Sequence, residues 1–360
     1  MTTQVHVARN QLDQAELAEV DAGPLADGAV RLAVESFSVT SNNVTYAVVG
    51  EMVGYWNFFP APEGQGIVPM WGHAKVIESN CPDIEVGERV YGYLPMASHL
   101  DVVPGKVSTH GFVDMTAHRQ PLPPIYNQYS RLAADPEHDP AREAERMIYG
   151  PLFKTGYMID YFMRSNDWFG AERVILTSAS SKTAMGLASS ARQNSPEVRR
   201  IGLTSAGNVE FVKGTGLYDD VLAYGDVESL DRLPSVSVDF SGNGGLLAQI
   251  HQHLGDSLKY SCLVGVTHID DRRGPAGSAQ DLPGPTPTLF FAPDHIVAFF
   301  KEYGPQKAAE MMASAWQDFL RTVEGSVQIE RNAGLEAARD VFVEMVGGTV
   351  DPARGIVIEP

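Results

Sequence analysis

The sequence predicts an α/β protein of two domains, a small β-rich domain followed by a doubly wound parallel sheet. Three observations predict it. Residues 1–125 read as short strands broken by turn residues, and from residue 174 short apolar strands alternate with helical segments. The chain is also 360 residues long, whereas single cores stop growing at roughly 250–300 residues.

In the first part, Ala29–Val39 (AVRLAVESFSV) alternates apolar and polar residues as a half-buried strand does. Further strands are expected at Ala74–Glu78, at Glu88–Leu94 after a turn at Gly87, and at His99–Val103. Arg131–Arg142 (RLAADPEHDPAR), rich in proline and charge, reads as an exposed loop. Met147–Ser165 carries apolar and aromatic residues at helical spacing, which Gly150, Pro151 and Gly156 are expected to interrupt. Strands then follow at Val174–Leu176, Arg200–Leu203, Asp220–Ala223, Ser237–Phe240 and Tyr260–Val266. Helices at Thr183–Arg192, Val209–Thr215 and Leu246–Leu254 stand between them. Such alternation with short connections means a parallel sheet. Asp270–Thr288 reads as a Gly/Pro-rich loop. Helical pattern returns at Pro305–Val323 and Leu335–Val346, and a strand closes the chain at Gly355–Glu359.

A hydrophobic fraction of 44% and a charged fraction of 20% are those of a globular protein. The net charge of −18 repels phosphate backbones and anionic membranes and favours a small-molecule partner, though it also serves plain solubility. Two cysteines, Cys81 and Cys262, form neither a disulfide framework nor a Cys/His metal cluster. The polar N-terminal stretch has no signal-peptide core, and no apolar run reaches the roughly 18 residues of a membrane helix; a cytoplasmic protein is expected.

After the strand ending at Thr177, SASSKTAMGLA opens a helix. The free N–H groups of a helix start attract a pyrophosphate, and Ser178, Ser180, Ser181, Lys182 and Thr183 add donors. An ordinary polar helix cap has the same composition.

These residues, Ile175–Ala184, resemble the first strand-to-helix turn of the medium-chain dehydrogenase/reductase superfamily. Other segments resemble that family in the same order: Ile201–Ser205 its second strand, Gly216–Tyr224 its next strand, Asp239–Gly245 its Asp-x-x-Gly-Gly segment, and Leu263–Val266 the strand ending beside the nicotinamide. Val86–Gly92 is similar to its Gly-Asp-Arg-Val turn, and Asn43–Tyr46 resembles the place where its quinone and enone reductases carry an asparagine followed three residues later by an acidic residue or a tyrosine. Where the family loop has glycines, this chain has Ser181, Lys182 and Ala184.

The resemblance implies a GroES-like substrate domain at 1–150 and 324–360 and a Rossmann dinucleotide-binding domain at 151–323. It places Tyr224, Ser241, Gly242, Gly265 and Val266 among the cofactor contacts. After the second strand, Thr204, Ser205 and Asn208 stand where an NAD enzyme carries an acid. Hydroxyls and an amide donate to a 2′-phosphate that a carboxylate would repel, so NADPH is favoured over NADH. Against this, the lysine common in NADPH-dependent relatives is replaced by Val209, with Lys213 one turn later.

Zinc is not expected. Gly72-His73-Ala74 lacks the glutamate of the family's Gly-His-Glu motif, no cysteine lies near position 43, and the four-cysteine lobe is absent. His73 is expected to be a packed or surface histidine. Without metal, Tyr46 is the candidate proton donor or oxyanion stabiliser and Asn43 the residue that orients cofactor or substrate, with Tyr126 and Lys154 as further catalytic candidates. Tyr55, Trp56 and Phe58, with Asn127, Tyr149 and Tyr157, are the candidate substrate wall for an apolar or aromatic molecule, although a core or dimer contact would use the same aromatic residues. No Ser/His/Asp or Gly-x-Ser-x-Gly pattern supports hydrolysis. The expected activity is NADPH-dependent reduction of a conjugated C=C bond or adjacent carbonyl. A metal-independent ketone reductase, or a non-redox binding protein or lyase on the same fold, stands as the alternative; a homodimer is left open.

Overall fold

The computed structural model describes residues 1–264 and 282–360. The chain divides into two units, Met1–Ile148 with Gln328–Pro360, and Tyr149–Val327.

The first unit is built on a nine-stranded sheet. Its path runs Gln328–Ala333, Arg354–Glu359, Val30–Val39, Pro69–Ser79, Arg89–Pro95, Gln128–Arg131, Gly111–Asp114, Pro104–Gly105, with His99–Val102 also paired to Val30–Val39. Val30, Leu32 and Val34 alternate into the core as the sequence pattern requires. The Pro69–Ser79 strand begins well before Ala74. Gly72 makes that possible: a Cβ there would lie 2.2 Å from the carbonyl of Ser36 on the neighbouring strand. The turn at Gly87 (φ +97°) delivers Arg89 between two carboxylates, Glu35 at 2.6 Å and Glu143 at 2.8 Å.

Two features of this unit differ from expectation, and a third, within the stretch expected to form short strands, was not placed element by element. The polar N-terminus folds into a hairpin of Thr2–Ala8 and Gln11–Val20, extended by Gln65–Gly66. Gln11–Val20 lies at the sheet's edge and is largely exposed, which is why it shows no apolar face. Ser41–Val48 is a helix within the stretch read as strands. Arg131–Arg142 is not a plain surface loop: Asp135 reaches Arg146 at 2.5 Å, both only 6% exposed.

The second unit holds a six-stranded parallel sheet in the order Asp220–Ala223, Arg199–Thr204, Arg173–Leu176, Ser235–Asp239, Leu258–Leu263, Thr288–Leu289. Counted along the chain this is 3-2-1-4-5-6, the Rossmann order. The helices Lys182–Asn194, Val209–Gly214 and Gly244–Leu254 make the crossovers. Arg173–Leu176 is buried throughout, as a strand covered on both faces must be.

The expected interruptions at Gly150, Pro151 and Gly156 do not occur: Glu143–Ser165 is one continuous helix. Pro151 has no N–H to give to the carbonyl of Met147, and Ser38 Oγ donates to that carbonyl instead, at 2.7 Å. Gly156 lies where the helix Lys182–Asn194 presses closest. A Cβ on it would sit 2.4 Å from the backbone nitrogen of Leu187. Ala292–Tyr303 forms a helix the sequence pattern did not signal, with Pro293 in its first turn, and Gln328–Ala333 is a further strand not foreseen. Most of the expected loop Asp270–Thr288 lies outside the described residues; its last residue, Thr288, begins the edge strand. Among the described residues no helix is long and apolar enough to cross a membrane.

Candidate functional site

In a sheet of this order, ligands bind beyond the carboxyl ends of the strands where the order reverses, here between Arg173–Leu176 and Ser235–Asp239. Thr177 and Asp239 cap those two strands. Thr177 Oγ1 donates to Asp239 Oδ1 at 2.6 Å and accepts from the backbone N–H of Phe240 at 3.0 Å. The carboxylate of Asp239 also receives the backbone N–H and the hydroxyl of Ser241, at 3.0 and 2.7 Å, and the N–H of Gly242. Ser241 and Gly242, expected at the cofactor, thus hold the second loop to the first.

Ser178 takes the left-handed backbone conformation (φ +48°) that glycine usually supplies in such a turn. Its hydrogen bond with Tyr224 brings two expected cofactor residues together. Ser181 caps the following helix, accepting from the N–H of Ala184 at 3.2 Å; Lys182 and Thr183 open that helix and are half-buried. Asn208 Nδ2 donates weakly to Ser180 Oγ, at 3.4 Å. Gly202 lets the turn lie against the second strand, since a Cβ there would meet Ala179 Cβ and the Tyr218 ring at 3.0 Å. Beyond it, Thr204 is 1% exposed and its hydroxyl finds no partner among the described residues, while Ser205 is exposed. That hydroxyl is enclosed by protein, so the polar side chains open to solvent at the end of the second strand are Ser205 and Asn208, with no carboxylate from Thr204 to Asn208. Gly265 and Val266 lie outside the described residues.

The first unit gathers a second group. Tyr46 projects from the helix Ser41–Val48. Asn43 anchors that helix: its side chain accepts from the N–H of Thr40 at 2.7 Å and donates to the carbonyl of Pro69 at 2.9 Å. With both ends of its amide so engaged, Asn43 orients Tyr46 through the backbone. The Tyr46 ring lies 4.6 Å from Tyr55, 5.6 Å from Tyr93 and 6.4 Å from Tyr126. Tyr55 and Tyr126 share a hydroxyl–hydroxyl hydrogen bond of 2.9 Å. Trp71 Nε1 donates to Tyr46 Oη at 3.1 Å. Tyr93 is fully buried and its hydroxyl has no partner among the described residues. Burial pushes the phenols of Tyr46, Tyr93 and Tyr126 well above their usual range, so all are protonated at neutral pH.

The other candidates are placed differently. Trp56 is clamped between Gly50 and Gly66, where a Cβ on either would fall 2.2 Å from the indole. Phe58 backs the tyrosines and lines, with Phe59, His118 and Arg119, a cavity of about 240 Å³. Asn127 is tied to Arg119, which it accepts from at 3.1 Å. Arg119 is itself a buried residue that sequence reasoning missed. It pairs with Asp114 at 2.9 Å and donates to Tyr129 Oη and to the carbonyl of Tyr126. Tyr149 and Tyr157 belong to the second unit's aromatic core, against Phe319 and Phe299. Lys154 lies half-buried on the same helix.

Trp71 and Tyr93 were also missed. The available signal was their strand: residues 71 and 73 share a face, and Trp71 and His73 sit directly opposite Tyr93 and Tyr91. His73 is fully buried, and neither of its ring nitrogens has a partner among the described residues. Among those residues no three His, Cys, Asp or Glu side chains cluster as a metal site requires.

Comparison with solved structures returns this architecture along the whole chain. CurA from Vibrio vulnificus, solved in complex with NADPH, superposes with a TM-score of 0.59 at 15% identity, covering 99% of this chain and 98% of that one. The quinone oxidoreductase from Coxiella burnetii gives 0.55 at 12% identity, covering 100% and 99%. CurK enoyl reductase gives 0.56 at 11% identity, covering 99% of each. The fold is that of the medium-chain dehydrogenase/reductase superfamily. No curated protein matches the chain. A family model described as "Protein of unknown function (DUF2855)" matches residues 37–351, and the chain belongs to that family.

Proposed function

We propose that this protein is an NADPH-dependent reductase of a conjugated C=C bond, of enone or quinone type, or of an adjacent carbonyl, working without zinc. One observation carries the reading. At the carboxyl ends of the parallel strands stand a left-handed Ser178 turn and the Ser180–Asn208 contact, and the stretch from Thr204 to Asn208 carries no acid to repel a 2′-phosphate. The likeness to CurA in complex with NADPH, to a quinone oxidoreductase and to an enoyl reductase supports it.

Ser178–Thr183 would hold the pyrophosphate, and Ser205 and Asn208, at the end of the strand that Thr204 closes, the phosphorylated ribose. Bound there, the cofactor supplies a hydride. Tyr46, protonated at neutral pH, donates its proton to the substrate. The rings of Tyr55, Tyr93 and Tyr126 offer an apolar, flat-faced environment suited to an aromatic substrate.

Fluorescence titration with NADPH and NADH tests the first half: micromolar or tighter binding of NADPH, weaker for NADH, is expected, and binding of neither rejects the reading. Turnover of an aryl enone and a para-quinone then tests the second. Tyr46→Phe should lower kcat about a hundredfold, and unchanged turnover rejects Tyr46 as the acid.

A further inference from the structure

We infer that Trp71 is a positioning residue that fixes the Tyr46 hydroxyl and strengthens it as a proton donor, by stabilising the phenolate left when the proton is given up. The inference rests on Tyr46 acting as the acid.

A phenolic oxygen has two lone pairs and one proton. Trp71 can only donate, and its indole N–H lies 3.1 Å from Tyr46 Oη. With the Trp71 N–H engaging one lone pair, the Tyr46 proton is directed away from the indole. The indole is held for this purpose. Trp71 stands on the strand Pro69–Ser79 directly across from Tyr93, with ring centroids 5.1 Å from Tyr93 and 5.8 Å from Tyr91, stacked on the latter. It is also only half-buried, whereas the tyrosines around it are buried, so it stands at the solvent side of the group.

The consequence is a stronger acid. Were a hydride delivered to an enone, quinone or ketone, charge would grow on the substrate oxygen and Tyr46 Oη would give up its proton there. The phenolate left behind would keep its electron pair, be stabilised by Trp71 Nε1–H, and be reprotonated from water. The balance is one hydride and one proton added to the substrate. The substrate class this serves is an unsaturated or plain carbonyl compound.

Trp71→Phe keeps an aromatic ring on the strand and removes the donor. With the tyrosines isotopically labelled at Cζ, and the Tyr46 resonance identified by its loss in Tyr46→Phe, that resonance should move in Trp71→Phe while the others hold. On an aryl enone, kcat should fall about tenfold, the value of one hydrogen bond to a charged group, with KM within about twofold. In the Tyr46→Phe background the same change should have no further effect. An unmoved resonance, or an equal loss of kcat in both backgrounds, overturns the role of Trp71. Wild-type turnover by Tyr46→Phe overturns the acid assignment, and the resonance arm still reports whether the Trp71 contact exists.

Discussion

The two polar centres of this molecule are organised in opposite ways. At the carboxyl ends of the parallel sheet the polar groups answer one another: Asp239 alone collects Thr177 Oγ1, two donors from Ser241 and the N–H of Gly242. In the tyrosine group the hydroxyls are few against the ring surface, and that of Tyr93 is buried with no partner among the described residues. The first centre is a rigid frame that fixes two loops. The second is an apolar wall of packed rings in which the Tyr46 hydroxyl accepts the Trp71 N–H. A hydrogen-bonded frame should fail when its acceptor is removed, whereas a packed wall should tolerate loss of a hydroxyl better than loss of a ring.

The largest expected effect follows from the frame. Asp239→Ala leaves donors at the ends of two buried strands without an acceptor, and should lower the unfolding free energy by about 3 kcal/mol or more. Urea denaturation checks this, with NADPH titration of the folded fraction as a companion measurement. Asp239→Asn, which keeps one acceptor oxygen, should fall between. If Asp239→Ala unfolds at the wild-type midpoint, the two loops are not held by this carboxylate, and the contrast between the centres is lost.

A smaller effect sharpens the frame's support from below. The helices Glu143–Ser165 and Lys182–Asn194 meet at Gly156 and Gly186, both in the second unit. Alanine would raise helix propensity by about 1 kcal/mol at either site. At Gly156, however, the new Cβ would lie 2.4 Å from Leu187 N and 2.8 Å from the carbonyl of Thr183, both backbone atoms; at Gly186 the nearest contact is Phe153 Cα at 3.0 Å. Gly156→Ala should therefore cost about 1–3 kcal/mol and Gly186→Ala distinctly less, measured by thermal or urea unfolding. The reverse order would mean that the two helices are not in contact as described.

The same contrast explains how much the sequence revealed. The frame is contiguous: strand, polar turn and helix follow one another from Arg173 to Asn194, so the hydrophobic pattern and the turn residues announce it together. Asp239 and Thr177 lay in segments already identified, yet their pairing is a contact across 62 residues that periodicity does not encode. The tyrosine group is assembled from separate segments carrying residues 46, 55, 71, 93 and 126. Tyr46, Tyr55 and Tyr126 were singled out by family resemblance or as members of aromatic runs. Trp71 and Tyr93 sit on neighbouring strands, and a strand pattern does not encode which residue of the partner strand each one meets. Arg119, a buried charge, gave no sequence signal, because burial of a charge depends on partners brought by the fold, here Asp114 and Tyr129. Local order is written locally.

The smallest expected effect concerns His73, which faces away from neither centre's problem: it is a polar side chain in an apolar setting. Burial pushes its pKa down from 6.5 to about 3, with Glu143 opposing the shift and Arg146, Arg89 and His138 adding to it. The folded state thus holds His73 neutral while the unfolded chain binds a proton below about pH 6.5. Its contribution to stability is complete above 6.5 and is lost as pH falls towards 3. His73→Leu removes two unpartnered nitrogens and the titration with them. Near pH 7 the variant should lie within about 1 kcal/mol of wild type. Below 6.5 it should lose stability less steeply, the gap widening by at most about 1.4 kcal/mol per pH unit. Urea midpoints of the two proteins between pH 7 and about 5.5 isolate the effect, because the Glu143 carboxyl, held at about 2 in the fold by hydrogen bonds from Arg89 and His138 against the opposing effect of burial, is half-protonated at 4.5 in the unfolded chain and begins to titrate about one unit above that. Parallel curves for the two proteins would show that His73 finds a partner in solution, and that the wall around Tyr91 is wetter than its packing implies.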